Sequence, residues 1–75
     1  MNLVIGIPAF NEEKNIALVI TKLQTITDKI IVCNDGSSDM TGRIAEKMGA
    51  IVINHPKNLG YGAGIRSIFV KSKEL

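Results

Sequence analysis

Several features that would assign a function at once are missing from this chain of 75 residues. It contains a single cysteine, Cys33, so an internal disulfide is excluded and a reducing compartment is favoured. The longest apolar run is about five residues, against the roughly 20 that a membrane span needs. Residues 1–10 are not expected to be a signal peptide, because they lack a basic start and Pro8 and Asn11 interrupt the apolar run. We therefore expect a cytoplasmic protein.

The charged residues do not indicate a nucleic-acid partner. The net charge is +2, and no basic cluster exceeds the pair Lys71 and Lys73. His55 is the only histidine, and it has no partner at the spacing of a metal site. A composition of 45% apolar and 21% charged residues is that of a folded domain. We expect one small domain over residues 1–75, with a thin core.

Three short apolar runs, at residues 3–7, 29–33 and 50–53, alternate with amphipathic stretches. Runs rich in β-branched residues suit strands of a parallel sheet that is buried on both faces. The order of elements is therefore βαβαβα. Because crossovers between parallel strands are right-handed, we expect the strand order 3-2-1 in a three-layer α/β fold.

Local signals place the ends of these elements. Pro8 has no N–H, so we expect it to end the first strand, and we expect Asn11 to cap the first helix. Ser38 or Asp39 is the expected cap of the second helix, and Gly49 is its expected terminator. The third helix is expected to begin after a polar, glycine-rich loop.

Each polar loop follows the C-terminal end of a strand, where ligands of open α/β sheets bind. The first loop enters a helix N-terminus, whose free N–H groups attract anions. Pro8 directs the chain there, and Glu12 can accept hydrogen bonds from a base or a ribose. The alternative is that Pro8 only stops a strand and Glu12 only complements the helix dipole.

The second loop places Asp35 at a strand end, and Gly36 after it permits a tight turn. A carboxylate there can accept a hydrogen bond from the imide N–H of a nucleobase or from ribose hydroxyls. The alternative is a simple turn that leads into a capped helix. Asp35 and Asp39 also suggest a metal pair, but Asp39 is better used as a helix cap, so we expect no metal here.

The third loop contains the alternating glycines Gly60, Gly62 and Gly64. Their spacing does not fit a dinucleotide fingerprint, and no Walker sequence is present. Lys57 and Arg66 can contact a pyrophosphate, or they can be solvated.

Together the three segments carry specific motifs. They read Pro-Ala-Phe-Asn-Glu-Glu at 8–13, Asn-Asp-Gly-Ser-Ser-Asp at 34–39 and Asn-Leu-Gly-Tyr-Gly-Ala-Gly-Ile-Arg at 58–66. They resemble the motifs of family-2 glycosyltransferases, and the third is most similar to polyprenyl- and dolichyl-phosphate sugar transferases. Asn34 departs from the pattern, because the family has an aspartate there. The resemblance covers nearly all of the chain and implies the N-terminal, Rossmann-like half of a GT-A fold.

The resemblance also implies a nucleotide site. In the family these loops hold the nucleoside of a nucleotide-sugar donor. Carried over, Asp35 bonds the base, Pro8, Ala9 and Glu12 line the base and ribose, and Arg66 lies near the donor phosphates. Gly36 completes the set of expected nucleotide-binding residues.

The chain is also expected to be incomplete as an enzyme. The family places an Asp-x-Asp metal motif and a catalytic base beyond the third helix, and the sequence contains neither. We expect no cofactor in this chain, and Mg²⁺ or Mn²⁺ in a full-length parent enzyme. The chain is interpreted as part of a transferase that moves a sugar from a nucleotide-sugar to an acceptor, with a polyprenyl phosphate as one candidate, and as inactive alone.

Two alternatives stay open. One is a non-catalytic nucleotide-binding module that a partner chain completes, and the other is a ligand-free fragment that associates with itself. In strand order 3-2-1 the first strand lies at an edge, and it is apolar and uncharged. Such an edge is a template for pairing with another chain, so we expect a homo-oligomer through the first strand or a completing partner chain.

Overall fold

The second apolar run forms the centre of the fold. The computed structural model describes residues 3–75, and in it β2 (Ile30–Asp35) has its first four residues at 2% exposure or less. Two parallel strands flank β2, namely β1 (Ile5–Ala9) and β3 (Ile51–His55). The order β1-β2-β3 confirms the predicted strand order, and it places the C-terminal ends of all three strands at one edge of the sheet.

Helices cover both faces of this sheet. On one face, α1 (Ile16–Leu23) and α2 (Thr41–Lys47) pack together, and α2 contacts β2 and β3. On the other face, α3 (Tyr61–Ser72) contacts β1 and β2. Successive residues of β2 therefore enter different layers. Val32 joins the core beneath α1 and α2, whereas Cys33 lies beneath Gly64 of α3. The predicted α/β fold is confirmed. None of the helices within residues 3–75 has the length and apolarity to cross a membrane.

The strands run further than the sequence predicted. Pro8 was expected to end the first strand, but it lies inside β1 and pairs in register with Cys33. Within the described sheet β1 is an end strand, and proline is tolerated at such a position because no ladder needs its N–H on the open side. The other two strands also continue, as far as Asp35 and His55. Both of these side chains therefore stand at strand ends.

The prediction that Asn11 caps the first helix was wrong. The helix α1 begins at Ile16, after a turn, and Asn11 has a φ of 52°, in the left-handed region that asparagine tolerates. The side chain of Asn11 accepts a hydrogen bond from the amide of Ser38 at 2.9 Å. The backbone N–H of Asn11 donates a hydrogen bond to the hydroxyl of Ser37 at 2.9 Å. Asn11 therefore ties the first loop to the second, a contact that local sequence does not reveal.

The ends of α2 match the prediction only in part, because the residue at the N-cap position is Met40 and not Ser38 or Asp39. The carboxylate of Asp39 accepts a hydrogen bond at 2.9 Å from the amide of Thr41, the first residue of the helix. At the other end, Gly49 has a φ of 93°. This left-handed conformation is the one that lets glycine terminate a helix.

The glycine-rich loop is shorter than predicted, because it ends at Gly60 and Gly64 lies inside α3. A Cβ at Gly64 would lie 3.3 Å from the Cβ of Pro8. A Cβ at Gly6 would lie 2.3 Å from the γ2 methyl of Ile68. Both glycines therefore let α3 lie very close to β1, so Gly64 serves packing.

Candidate functional site

A cleft of about 180 Å³ opens where β1 and β2 end and α3 begins. It is lined by Pro8, Ala9, Phe10, Asp35, Asn58, Gly60 and Tyr61. Three residues that the sequence nominated, Pro8, Ala9 and Asp35, therefore meet there. Complete small-molecule sites usually enclose about 300–1,000 Å³, so this cleft suits one flat portion of a ligand.

Asp35 forms the polar wall of the cleft and is 6% exposed. Its Oδ1 accepts from the amide of Leu59 at 2.9 Å, and its Oδ2 accepts from the amide of Gly60 at 3.0 Å. Nδ1 of His55 lies 2.8 Å from the same Oδ1. The hydrogen bond from the Leu59 amide and that from His55 lower the pKa of the Asp35 carboxyl below its ordinary value. Asp35 is therefore an ionised anchor that holds the loop between β3 and α3.

His55 links this anchor to α3. Its Nε2 lies 2.8 Å from the hydroxyl of Ser67 and 3.6 Å from the sulfur of Cys33. Cys33 itself is completely buried, and burial, followed by the negative charge of Asp35, raises the pKa of its thiol. Cys33 is therefore a buried, uncharged thiol.

The rim of the cleft is aromatic. The side chains of Phe10 and Tyr61 are 47% and 75% exposed. The start of α3 also faces this cleft, and the amide of Gly64 is the first that bonds back along the helix, to the carbonyl of Gly60 at 3.1 Å. The preceding amides of the first turn lack such a partner, so this end of α3 attracts anions. The combination suits a flat ring that carries a hydrogen-bond donor and an anionic group.

A second network fixes the first loop beneath the cleft. The hydroxyl of Thr41 is fully buried, accepts from the amide of Glu12 at 2.8 Å, and donates to the carboxylate of Asp39. The same carboxylate accepts from the amide of Glu13 at 3.2 Å. Burial opposes the ionisation of Asp39, but hydrogen bonds from Thr41 and from the Glu13 amide outweigh it and lower the pKa. The start of α2 therefore carries the first loop.

These contacts bear on metal binding. Within residues 3–75, no three His, Cys, Asp or Glu side chains converge as a metal site would require. The carboxylates of Asp35 and Asp39 are both occupied by protein donors. Among the described residues, Asp35 and Asp39 are thus bound to separate protein groups and are not arranged as a metal-binding pair.

The other nominated residues lie outside the cleft. Glu12 is exposed and lines a neighbouring cavity of about 310 Å³. Gly36 has a φ of 74°, and a Cβ there would lie 2.4 Å from the backbone of Lys57 and Asn58, so this glycine brings two loops into contact. Arg66 is exposed and lines a cavity of about 540 Å³ between β3 and α3. The roles of all three in nucleotide binding stay predictions.

Sequence reasoning missed the contact of Asp35 with His55 and the part of Ser67. A signal for the first was present, because Asp35 and His55 are the last residues of adjacent parallel strands and pair in register. Phe10, Asn58 and Tyr61 belong to the quoted motifs but were not nominated. No local pattern distinguishes Ser67 from other polar residues of a helix.

Comparison with known proteins identifies the family. The sequence profile described as "Glycosyl transferase family 2" matches residues 4–73, which is nearly all of the chain. The chain belongs to glycosyl transferase family 2. The predicted family is thereby confirmed.

Several curated proteins resemble the chain. The chain is 40% identical over 68 residues to a dolichyl-phosphate hexose transferase of Haloferax volcanii, and this alignment covers 88% of the chain and 29% of that protein. An uncharacterized protein of Methanocaldococcus jannaschii is 45% identical over 60 residues, 79% of this chain and 25% of that protein. A 4,4'-diaponeurosporenoate glycosyltransferase of Staphylococcus aureus is 44% identical over 55 residues, 71% of this chain and 15% of that protein. The chain thus spans less than a third of each of these relatives.

Proposed function

We propose that the cleft binds the nucleoside part of a nucleotide-sugar, and that the chain is the donor-binding portion of a glycosyltransferase. The whole enzyme would transfer the sugar from this donor to an acceptor. A polyprenyl phosphate is the candidate acceptor, since one similar protein is named a dolichyl-phosphate hexose transferase. The observation that carries the proposal is the convergence of an ionised Asp35, two exposed aromatic rings and the start of α3 on one cleft.

Different parts of the cleft contact the base and the phosphates of the proposed ligand. The base stacks on the exposed rings of Phe10 and Tyr61, because every nucleobase offers a flat face for such contact. Its N–H donates to Asp35, which forms the polar wall. The phosphates lie toward the first turn of α3, whose free amides favour anions.

Arg66 is the proposed cationic partner of those phosphates. A Cβ at Gly62 would lie 3.6 Å from Nη1 of Arg66, so the guanidinium extends back along α3 toward its first turn. Guanidinium groups pair well with phosphate oxygens because their donors match in geometry. Glu12 lines the neighbouring cavity, which shares Pro8 and Ala9 with the cleft, and is the proposed partner of the ribose.

We further propose that the chain alone binds a nucleotide without transferring sugar. Mg²⁺ or Mn²⁺ is proposed for the full-length enzyme, whereas Asp35 and Asp39 of this chain already serve as acceptors for protein groups. A cytoplasmic location is proposed because Cys33 is a free thiol. Association through β1 is proposed because β1 is an end strand of the described sheet.

A matched pair of variants tests the nucleotide site. Phe10→Ala removes a ring at the cleft, whereas Phe69→Ala removes a ring of similar exposure (51%) that lines a different cavity. Stacking of a base on an aromatic ring is worth about 1–3 kcal/mol. We therefore expect Phe10→Ala to weaken binding of uridine or guanosine diphosphate about fivefold or more, and Phe69→Ala to leave it unchanged. Calorimetry measures both, and equal affinity for Phe10→Ala and the parent chain would contradict the site.

A further inference from the structure

Three buried or half-buried polar side chains form a hydrogen-bonded row beside the cleft. It runs from Ser67 on α3, through His55 at the end of β3, to Asp35 at the end of β2, with both contacts at 2.8 Å. The His55 and Asp35 side chains are 9% and 8% exposed. Neither contact is between neighbours in sequence, so this row of hydrogen bonds joins α3, β3 and β2.

The carboxylate of Asp35 fixes the direction of the hydrogen bond that it forms with His55. A carboxylate only accepts, so Nδ1 of His55 donates to Oδ1 of Asp35. Nε2 of His55 contacts the hydroxyl of Ser67, which can donate to it or accept from it. Each side chain thereby fixes the orientation of the next.

The arrangement does not make Ser67 a nucleophile for acyl transfer. That chemistry needs free backbone N–H groups beside the nucleophile to stabilise an oxyanion. Ser67 lies in the middle of α3, where the backbone amides are taken up by the helix itself. The chain of contacts must therefore act on the structure around Asp35.

We infer that His55 and Ser67 are positioning residues that set which acceptor of Asp35 faces the nucleotide. This inference rests on the proposed function. An ionised carboxylate offers about four acceptor positions. On Oδ1, His55 and the amide of Leu59 occupy both, and on Oδ2 the amide of Gly60 occupies one. One position of Oδ2 is left for a single N–H donor of the base.

The consequence is specificity as well as affinity. Without the hydrogen bond from His55, Oδ1 regains a free acceptor and the carboxylate can rotate away from the amides of Leu59 and Gly60. The loop that carries Asn58, Gly60 and Tyr61 to the cleft would then lose its anchor. The site would bind the preferred base less tightly and distinguish less well between bases with one and with two donors.

Two substitutions of His55 separate its two contacts. His55→Asn keeps an amide donor near the position of Nδ1, toward Asp35. His55→Gln keeps an amide group near the position of Nε2, toward Ser67, and removes the donor to Asp35. We expect His55→Asn to bind the preferred nucleoside diphosphate within about threefold of the parent chain, and His55→Gln to bind it about tenfold more weakly. The ratio of affinities for uridine and guanosine diphosphates should also fall in His55→Gln.

The backbone amides report on the same anchor without any ligand. Hydrogen exchange at the amides of Leu59 and Gly60 should be about tenfold faster in His55→Gln than in His55→Asn, while exchange in β2 stays unchanged. Equal exchange and equal affinity in the two variants would overturn the inference. If the parent chain binds no nucleoside diphosphate, the proposed function fails, and the exchange comparison still decides whether His55 holds the loop.

A second pair keeps the test decisive if His55→Gln does not fold. Ser67→Ala removes the hydroxyl that orients the imidazole, and Ser67→Thr retains a hydroxyl. We expect exchange at Leu59 and Gly60 to be about threefold faster in Ser67→Ala, and to return to the parent rate in Ser67→Thr. The same rates in both variants would overturn the part assigned to Ser67.

Discussion

The close approach of α3 to β1 can be tested at Gly6. The substitution Gly6→Ala places a Cβ 2.3 Å from the γ2 methyl of Ile68. Carbon atoms in contact normally lie about 3.5–4.0 Å apart, so the two groups would overlap by roughly 1.2 Å or more. Either α3 moves away from the sheet or Ile68 leaves its preferred rotamer.

The expected cost follows from this overlap. Overpacking of a well-packed contact costs about 1–3 kcal/mol. In a domain of 60–100 residues, each kcal/mol changes Tm by about 4–8 °C, so Gly6→Ala should lower Tm by about 4–24 °C. Since α3 begins at the cleft, a displaced helix should weaken nucleotide binding as well.

Two controls isolate the contact in thermal unfolding followed by circular dichroism. Gly62→Ala makes the same substitution in α3, where the only described neighbour within 4 Å is Nη1 of Arg66, and it should be neutral or stabilising by about 0.5–1 kcal/mol. Ile68→Leu removes the γ2 methyl, so Gly6→Ala should cost much less in that background. An unchanged Tm for Gly6→Ala, or an equal loss in both backgrounds, would refute the reasoning.

Three further predictions concern stability and assembly. Thr41→Val keeps the shape of a fully buried side chain but removes the acceptor of the Glu12 amide, so it should cost about 1–3 kcal/mol by urea unfolding, whereas the exposed Thr21→Val should cost little. Because hydrogen bonds from Leu59 and His55 lower the pKa of Asp35, its contribution to stability is complete above about pH 4 and is lost as the pH falls through the folded-state pKa. Tm should thus be lower at about pH 3 than at pH 6, and a Tm that is equal at both would count against the anchor. If the chain associates through β1 as proposed, light scattering should show a dimer or larger species. A folded monomer at high micromolar concentration would exclude this association.

Sequence patterns predicted the sheet because its signals are local. The apolar runs predicted the three strands, and the right-handed rule for parallel crossovers led to the strand order 3-2-1 that the structure shows. The failure at Asn11 has a physical reason, since its partners Ser37 and Ser38 lie 26 and 27 residues away. Local capping rules cannot register a contact that exists only after the loops meet.

The part of the candidate site that lies at the strand ends could be predicted from the sequence. Pro8, Ala9 and Asp35 meet because the C-terminal ends of adjacent parallel strands lie together. The occupancy of Asp35 was not predictable, because its donors at Leu59 and Gly60 come from a loop whose path depends on tertiary packing. The alternating glycines predicted a longer loop before the third helix. Gly64 instead lies inside α3, where it allows this helix to pack closely on β1.

The central claim is that the cleft at the start of α3 binds a nucleoside diphosphate. The most direct measurement is a titration of the ¹⁵N-labelled chain with uridine and guanosine diphosphates, followed by amide chemical shifts. The account predicts saturable shifts concentrated at Phe10, Asn58 and Tyr61, which line the cleft. No shift at millimolar nucleotide, or shifts confined to Ile53 and Val70 in the cavity between β3 and α3, would contradict it.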